Sequence, residues 1–483
     1  MKKENAVQND KSKNQVKRVL KTRHLSMIAL GGSIGTGLFV ASGLTISSAG
    51  PGGALVAYIT VGIMVYFLMT SLGEMATYMP ISGSFASYAG KFVDPALGFA
   101  LGWNYWLNWV ITLAVDITTV SIIIKFWLPN SPTWIFSLLA LAVMFFINII
   151  SARSFAETEY WLSLIKILVI LIFIFLGFLM IFGKLGQPFT GLKNFTYKKA
   201  PFLGLLSMLG SFSTAAFSFQ GTELIGITAG ESANPEESIP KATKQIFWRI
   251  LLFYILSIFV ISCLIPYDSP FLLGSSTKDI AISPFTLVFK QSGLNSAASI
   301  MNFVILISVL SSANSGIYAA TRMLYSLSYH KGALSIFIKT NKQGIPSLAL
   351  FVTTFIGLLI FLMNFFEVGI YDFLVTASGL TGFIAWLGIS ISHLRFRMIL
   401  KKKNIPLSSL KYRAKFFPLG PILSTLICVL IILEKGIELT IDFNWYELLI
   451  TYSCIPIFLI LFLGYKLKNH TKLIPLDDVS IKK

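Results

Sequence analysis

Glycine interrupts two of the apolar stretches in this chain, and the same frame surrounds each interruption. The first reads Gly35-Thr36-Gly37-Leu38, and a later one reads Gly221-Thr222-Glu223-Leu224. A lipid-embedded helix has no water to satisfy freed backbone groups, and a buried charge is costly there. Glycine, threonine and a carboxylate at that depth must therefore line a protected polar space rather than face lipid. Their recurrence in matching places of two halves points to paired discontinuous helices around a small polar ligand, the arrangement of a solute transporter.

The rest of the chain sets the medium. Of its 483 residues 55% are hydrophobic and only 12% are charged, about half the charged fraction of a soluble domain. Stretches near the ~20 residues needed to cross a bilayer recur throughout. They predict twelve spans, at 25–47, 53–72, 97–124, 133–150, 158–183, 203–230, 246–266, 297–325, 346–364, 372–392, 418–434 and 447–466. The fold class expected is an all-α polytopic membrane protein.

The net charge of +18 does not argue for nucleic acid, because the basic residues follow the membrane. With both termini in the cytoplasm, most of the 39 Lys and Arg fall in the two tails and the loops on that side. This is the positive-inside pattern. Lys184, Lys193, Lys198 and Lys199 oppose it, so the bias is statistical. Residues 1–24 are polar and lysine-rich with no apolar core, which predicts a disordered cytoplasmic tail rather than a cleavable signal. Cys263, Cys428 and Cys454 fall in spans without metal or redox spacing and are expected to pack as small apolar residues.

An odd number of spans per repeat inverts the second copy. Spans 1–5 (25–183) and 6–10 (203–393) are read as two inverted repeats, followed by two extra helices at 418–467 and a tail at 468–483. Residues 73–95 hold Pro80-Ile81-Ser82-Gly83-Ser84-Phe85 and a half-polar stretch suited to the membrane surface. The basic cluster at 394–417 suggests orientation and contact with anionic lipid.

The chemistry-bearing residues concentrate at the breaks. In span 1, Ser33, Gly35, Thr36 and Gly37 offer backbone N–H groups and a half-helix dipole to a carboxylate. Close packing of small residues is the competing explanation. In span 6, Phe217, Ser218, Gln220 and Glu223 form a face too polar for lipid, where carbonyls and a carboxylate would receive an ammonium. Together these describe a site for an amino acid zwitterion. Tyr105, Trp109, Thr112 and Asp116 share one face of span 3, suited to a long cationic guest. Trp103 and Trp106 fit ordinary helix packing better.

Asp116, Lys166 and Glu223 are the ionisable residues expected deep in spans. Burial lowers an ammonium's proton affinity, so Lys166 could load and release a proton during transport. Alternatively it is a permanent cross-link to backbone carbonyls and to hydroxyls such as Ser311, Ser312 or Ser315 in span 8.

Several stretches carry a resemblance. Residues 31–43, Ala49-Gly50-Pro51-Gly52-Gly53, Pro80–Phe85, Ser218–Gly226 with Gly230-Glu231 and Asn234-Pro235, Ser311–Met323 and Thr381–Trp386 resemble the amino acid permeases of the amino acid–polyamine–organocation superfamily. Gly102–Trp106, Glu159-Tyr160-Trp161, Lys278-Asp279-Ile280 with Ser283-Pro284-Phe285, and Ser392-His393 with Arg395-Phe396-Arg397 look like its bacterial lysine-specific branch.

The resemblance implies a LeuT-type 5+5 inverted repeat with helices 1 and 6 broken. It also implies proton-driven import of L-lysine across the bacterial cytoplasmic membrane, with no cofactor and no enzymatic step. By motif position Ser33, Gly35, Thr36 and Gly37 would hold the substrate carboxylate, Phe217 would cover the site and Glu223 would face the amino groups. Lys166 would take the place of a sodium ion in sodium-driven relatives. An exchanger of basic amino acids or their amines, a permease for another amino acid and a membrane sensor stay open as alternatives. Lysine, protons and membrane lipids are the expected partners.

Overall fold

The structure, a computed structural model, describes residues 17–32, 34–186, 188–199, 201–273, 283–365, 370–441 and 452–480. Ser33 and the Lys278-Asp279-Ile280 stretch lie outside the described residues, as do residues 447–451 of the last expected span.

The chain is all-α. Its main helices, in chain order, are α1 (Thr22–Met27), α2 (Ser42–Tyr78), α3 (Ser84–Phe92), α4 (Pro95–Ile124), α5 (Trp134–Ile150), α6 (Ala152–Ile181), α7 (Leu205–Phe217) and α8 (Leu224–Thr228). They continue with α9 (Pro235–Arg249), α10 (Leu256–Leu264), α11 (Pro284–Gln291), α12 (Asn295–Tyr329), α13 (Ser347–Met363), α14 (Ile370–Lys402), α15 (Leu419–Ile441) and α16 (Cys454–Asn469). Among the described residues, six helical stretches are long and apolar enough to cross a membrane. Shorter apolar helices fill α5, α7, α13 and part of α15. The chain is a polytopic membrane protein.

Local sequence explains the ends of several elements. Asp94 caps α4, accepting the Ala96 N–H at 2.9 Å, with Pro95 in the first turn where its missing N–H costs nothing. Ser151 caps α6 through the Ser154 N–H at 2.9 Å. At Gly50 the backbone of α2 turns to φ 75°, which separates the first two expected spans, and the segment before α7 fills that kink. There the Gly52 N–H reaches the Pro201 carbonyl at 2.9 Å and the Leu203 N–H reaches Ala49 at 3.2 Å.

α4 lies at the centre, packed chiefly on α12 and α14, while α2 packs on α7. Both ends of the described chain dock. Leu20 is fully buried and pairs in parallel with the segment after α8, donating to the Glu231 carbonyl at 3.0 Å and accepting from Ala233 at 2.9 Å. Ordered structure thus begins ahead of residue 25, where the first span was expected. Beyond α16, the Ile474 N–H bonds the Val93 carbonyl at 2.8 Å.

α9 and α10 form one helical stretch with wider turns at Ile250–Ile255 between them. The apolar window that marked span 7 began at 246, yet this stretch starts at Pro235. It therefore carries Arg249, fully buried, into the protein.

Candidate functional site

Both expected breaks are present. In the first segment the backbone opens to wider turns at Ile28–Gly32 and again at Gly37–Ala41, with residues 34 and 35 non-helical between them. Such widened turns recur at functional positions in helices. In the second, α7 ends at Phe217, residues 218–223 form turns, and α8 resumes at Leu224. Gly221 adopts φ 88° within that turn, a backbone state that glycine enters without a Cβ clash.

The two breaks touch. A Cβ at Gly37 would lie 2.5 Å from the Ser218 Cα and 2.9 Å from the Phe217 carbonyl oxygen. The glycine is therefore required by the approach of one backbone to the other. The close-packing and ligand-binding explanations of these glycines are not exclusive, since the packing is what brings the breaks together.

Cations hold the first break. The Lys166 ammonium, fully buried, donates to the carbonyls of Gly31 at 2.7 Å and Ile34 at 2.9 Å. Arg249 donates to the Ala29 carbonyl at 2.6 Å and to the Tyr254 hydroxyl at 2.9 Å. These carbonyls form the C-terminal end of a half-helix, where the backbone dipole favours positive charge. Glu159, fully buried, stands 3.9 Å from Lys166 and accepts from Ser311, from Ser163 at 3.3 Å and from Asn314 at 3.4 Å.

The expected hydroxyl shell of Lys166 is thus resolved differently. Ser311 serves Glu159 rather than the lysine. Ser312 packs on Gly35, where a Cβ would meet its own at 2.7 Å. Among the described residues, the Ser315 Oγ is buried without a hydrogen-bond partner. Span 8 reaches Lys166 through Glu159.

The second break is held by neutral donors around a carboxylate. Glu223 Oε1 accepts from the Tyr105 hydroxyl at 3.1 Å and the Gly221 N–H at 3.2 Å. Its Oε2 accepts from the Trp386 indole at 3.2 Å and the Thr222 hydroxyl at 3.4 Å. Gln220 donates to the Ser378 carbonyl at 2.5 Å and accepts from the Ser378 hydroxyl at 3.0 Å, a fit that needs Gly382, where a Cβ would come within 2.2 Å of Nε2. Asn108 joins the same seam through Ser378 and Thr381, both at 3.0 Å. Ser218 bonds Tyr58 at 2.8 Å.

Span 3 links the two. Thr36 donates to Asp116 Oδ1 at 2.7 Å, while, among the described residues, Asp116 Oδ2 and the Trp109 indole nitrogen are buried without a hydrogen-bond partner. Buried polar atoms without partners are rare, so each of these calls for an explanation. Tyr105 stacks edge-on with Trp109 at 6.1 Å, Thr112 bonds Ser378 at 2.7 Å, and Phe217 is buried against the apolar residues around Ile111 and Ala114. Trp103 and Trp106 do pack: they bond the Gly332 carbonyl and Thr353, both at 3.1 Å.

Three ionisable residues were expected at depth, and the structure buries more. Glu159 and Arg249 belong to the site itself. Arg322 pairs with Glu231 at 2.7 Å, and Glu74 holds Arg397 at 2.5 Å with His393 at 3.2 Å. Each of these charges has an opposite partner or a carbonyl, as burial requires. Trp386 was visible only as part of a motif. A lone tryptophan in an apolar window gives no sign that its N–H meets a carboxylate 163 positions earlier.

A multi-pass helical bundle whose two interrupted segments meet inside it, lined with paired charges and unpartnered polar atoms, defines a membrane permease. The family model described as amino acid permease matches residues 24–474. The chain belongs to the amino acid permease family, and it is a transporter rather than an enzyme. It is 56% identical to the lysine-specific permease LysP of Lactococcus lactis, over 98% of this chain and 94% of that protein. The histidine permease HisP of the same organism is 54% identical, over 98% and 99%. The lysine-specific permease LysP of Escherichia coli is 53% identical, over 96% of each chain.

Proposed function

We propose that this permease imports L-lysine by proton symport across the bacterial cytoplasmic membrane. It would use alternating access on a LeuT-type scaffold of twelve spans, with spans 1–5 and 6–10 inverted and both termini in the cytoplasm. The observation that carries the reading is the contact of the two breaks at Gly37 and Ser218. It supports one small zwitterion held between them, its carboxylate at Ser33, Gly35, Thr36 and Gly37 and its amino end toward span 6.

The hydrogen bonds sharpen the roles. Glu223 already accepts four donors, so its part is to fix Tyr105 and the turn at 218–223. Asp116, with one oxygen unpartnered, is the better counter-charge for an ammonium. Trp109, Phe217, Ser218 and Gln220 form the remaining walls. Lys166 is the coupling group. When protonated it ties the end of the first half-helix to α6, and losing the proton would loosen those bonds to Gly31 and Ile34. Glu159 would hold the opposite charge, with Ser311, Ser312 and Ser315 on the facing helix.

Two of the relatives named above are lysine permeases, which supports lysine as the cargo. Histidine is a second reading, supported by a relative of nearly equal identity. Inside-negative potential favours entry of a monocation by ~2.3 kcal/mol per 100 mV. In proteoliposomes with an inward proton gradient, labelled lysine should accumulate and an uncoupler should release it. Uptake that ignores the gradient, or that requires internal substrate, would replace symport with exchange. Excess unlabelled histidine that blocks uptake better than excess lysine would move the assignment to histidine.

A further inference from the structure

We propose that a pocket where α3 meets the ends of α4, α12 and α16 binds the phosphate head of an anionic phospholipid. The cavity has a volume of about 440 Å³ and lies outside the two breaks. Its lining includes two groups that can carry positive charge, Lys91 and His330, and no carboxylate. The rest is mostly apolar, with Phe99 and Tyr465 stacked at 4.4 Å.

Lys91 is the group that asks for a ligand. It is half-buried, and among the described residues its one hydrogen-bond acceptor is the Met79 thioether at 3.3 Å. A thioether is a weak acceptor for one of three ammonium protons. The nearest carboxylate in sequence, Asp94, is already occupied. It accepts from Lys466 at 2.7 Å, Thr471 at 2.9 Å and the Ala96 N–H at 2.9 Å. Burial pushes the Asp94 carboxyl up, but these donors outweigh it and hold it below the usual range. It stays charged and committed to them.

His330 places Nδ1 2.9 Å from the Ser326 carbonyl, which requires a proton on that nitrogen, and in the doubly protonated ring Nε2 donates to a phosphate oxygen. In the basic cluster at 394–417, Arg397 is paired with Glu74 and Lys411 with Glu236. Among the described residues, Lys91 and His330 have no ion pair with a carboxylate.

The surroundings select a lipid over a free anion. The cavity opens among the ends of long apolar helices, and Tyr329 and Leu467, at the ends of the same helices α12 and α16, are 59% and 73% exposed. An ion would gain nothing from the Phe99, Leu327 and Tyr465 wall, whereas a glycerol backbone and the top of an acyl chain would cover it. Tyrosines at the ends of membrane helices match the headgroup level.

The test is native mass spectrometry of the full-length protein with phosphatidylglycerol or phosphatidylcholine added. Phosphatidylglycerol adducts should exceed phosphatidylcholine adducts by about fivefold or more, the expectation for one lysine near an anionic headgroup. Lys91→Gln should bring the ratio near one, while Lys91→Arg and the distant Lys184→Gln should keep it. His330→Gln, at an exposed position, should lower it by a smaller factor and covers the case where Lys91→Gln does not fold. Equal adducts in the unaltered protein, or a ratio unmoved by both Lys91→Gln and His330→Gln, would overturn the site. Displacement of phosphatidylglycerol by millimolar inorganic phosphate would overturn the lipid and assign a soluble anion.

Discussion

The two helix breaks are held in place by opposite chemistry. At the first, carbonyl oxygens project and cations from elsewhere, Lys166 and Arg249, come to them. At the second, a carboxylate and an amide from the turn itself, Glu223 and Gln220, reach out to Tyr105, Trp386 and Ser378. The first break is therefore tied to α6 and α9, and the second to α4 and α14. Only the first is held by cations. On the proposed proton coupling, the carboxylate tie with its neutral donors would stay fixed, whereas the ammonium tie to carbonyls would be released when Lys166 loses its proton.

Substitutions can break or sharpen this contrast. The largest effect is expected from Lys166→Ala, which leaves the Gly31 and Ile34 carbonyls without their shared donor. The Gly31 carbonyl keeps the Ile34 N–H at 3.0 Å, but both carbonyls lose their charged donor, so proton-driven uptake of labelled lysine should vanish and the melting temperature should fall. Full net uptake by a folded Lys166→Ala protein would remove the movable tie.

Gly37→Val comes next, because its Cβ must push the Ser218 backbone away. Uptake should drop to background even where the protein is still inserted and folded, as judged by detergent-solubilised size-exclusion. Normal uptake would mean that the contact of the two breaks is dispensable.

Glu223→Gln separates a structural from an electrostatic role. A glutamine keeps one acceptor oxygen but turns a donor toward Trp386 or Tyr105, so uptake should fall about tenfold, equivalent to about 1.4 kcal/mol. Competition by other amino acids should be unchanged. A changed order of competitors would make Glu223 a substrate contact. The smallest effect is expected from Trp386→Phe, which removes one of four donors. Tyr105, Gly221 and Thr222 still donate to the carboxylate, so uptake should fall less than in Glu223→Gln.

Much of this was legible in the sequence, for physical reasons that differ by element. Apolar windows mark helices because lipid imposes them, so a helix overlaps each expected range, although several outrun it, as at Pro235–Leu264 and Ile370–Lys402. The breaks were visible because Gly35, Gly37 and Gly221 have no place in a plain helix. Lys166 was visible as an isolated charge. Its partners were not. Carbonyls carry no sequence signature, and Gly31 lies 135 residues away. Glu159 lies at the edge of the apolar window at 158–183, but the helix begins earlier at Ala152 and buries it. Arg249 was hidden for the same reason, because its helix outruns the apolar window. Trp386 and the Asn108–Ser378 seam are ordinary residues whose meaning lies entirely in what they face.

The pairing of Leu20 with residues 231 and 233 yokes the front of the polypeptide to the far half of the second interrupted helix. On the proposed alternating access, a fluorophore carried at Val19 would ride with that half if it moves during transport, without a dye among the substrate-facing residues.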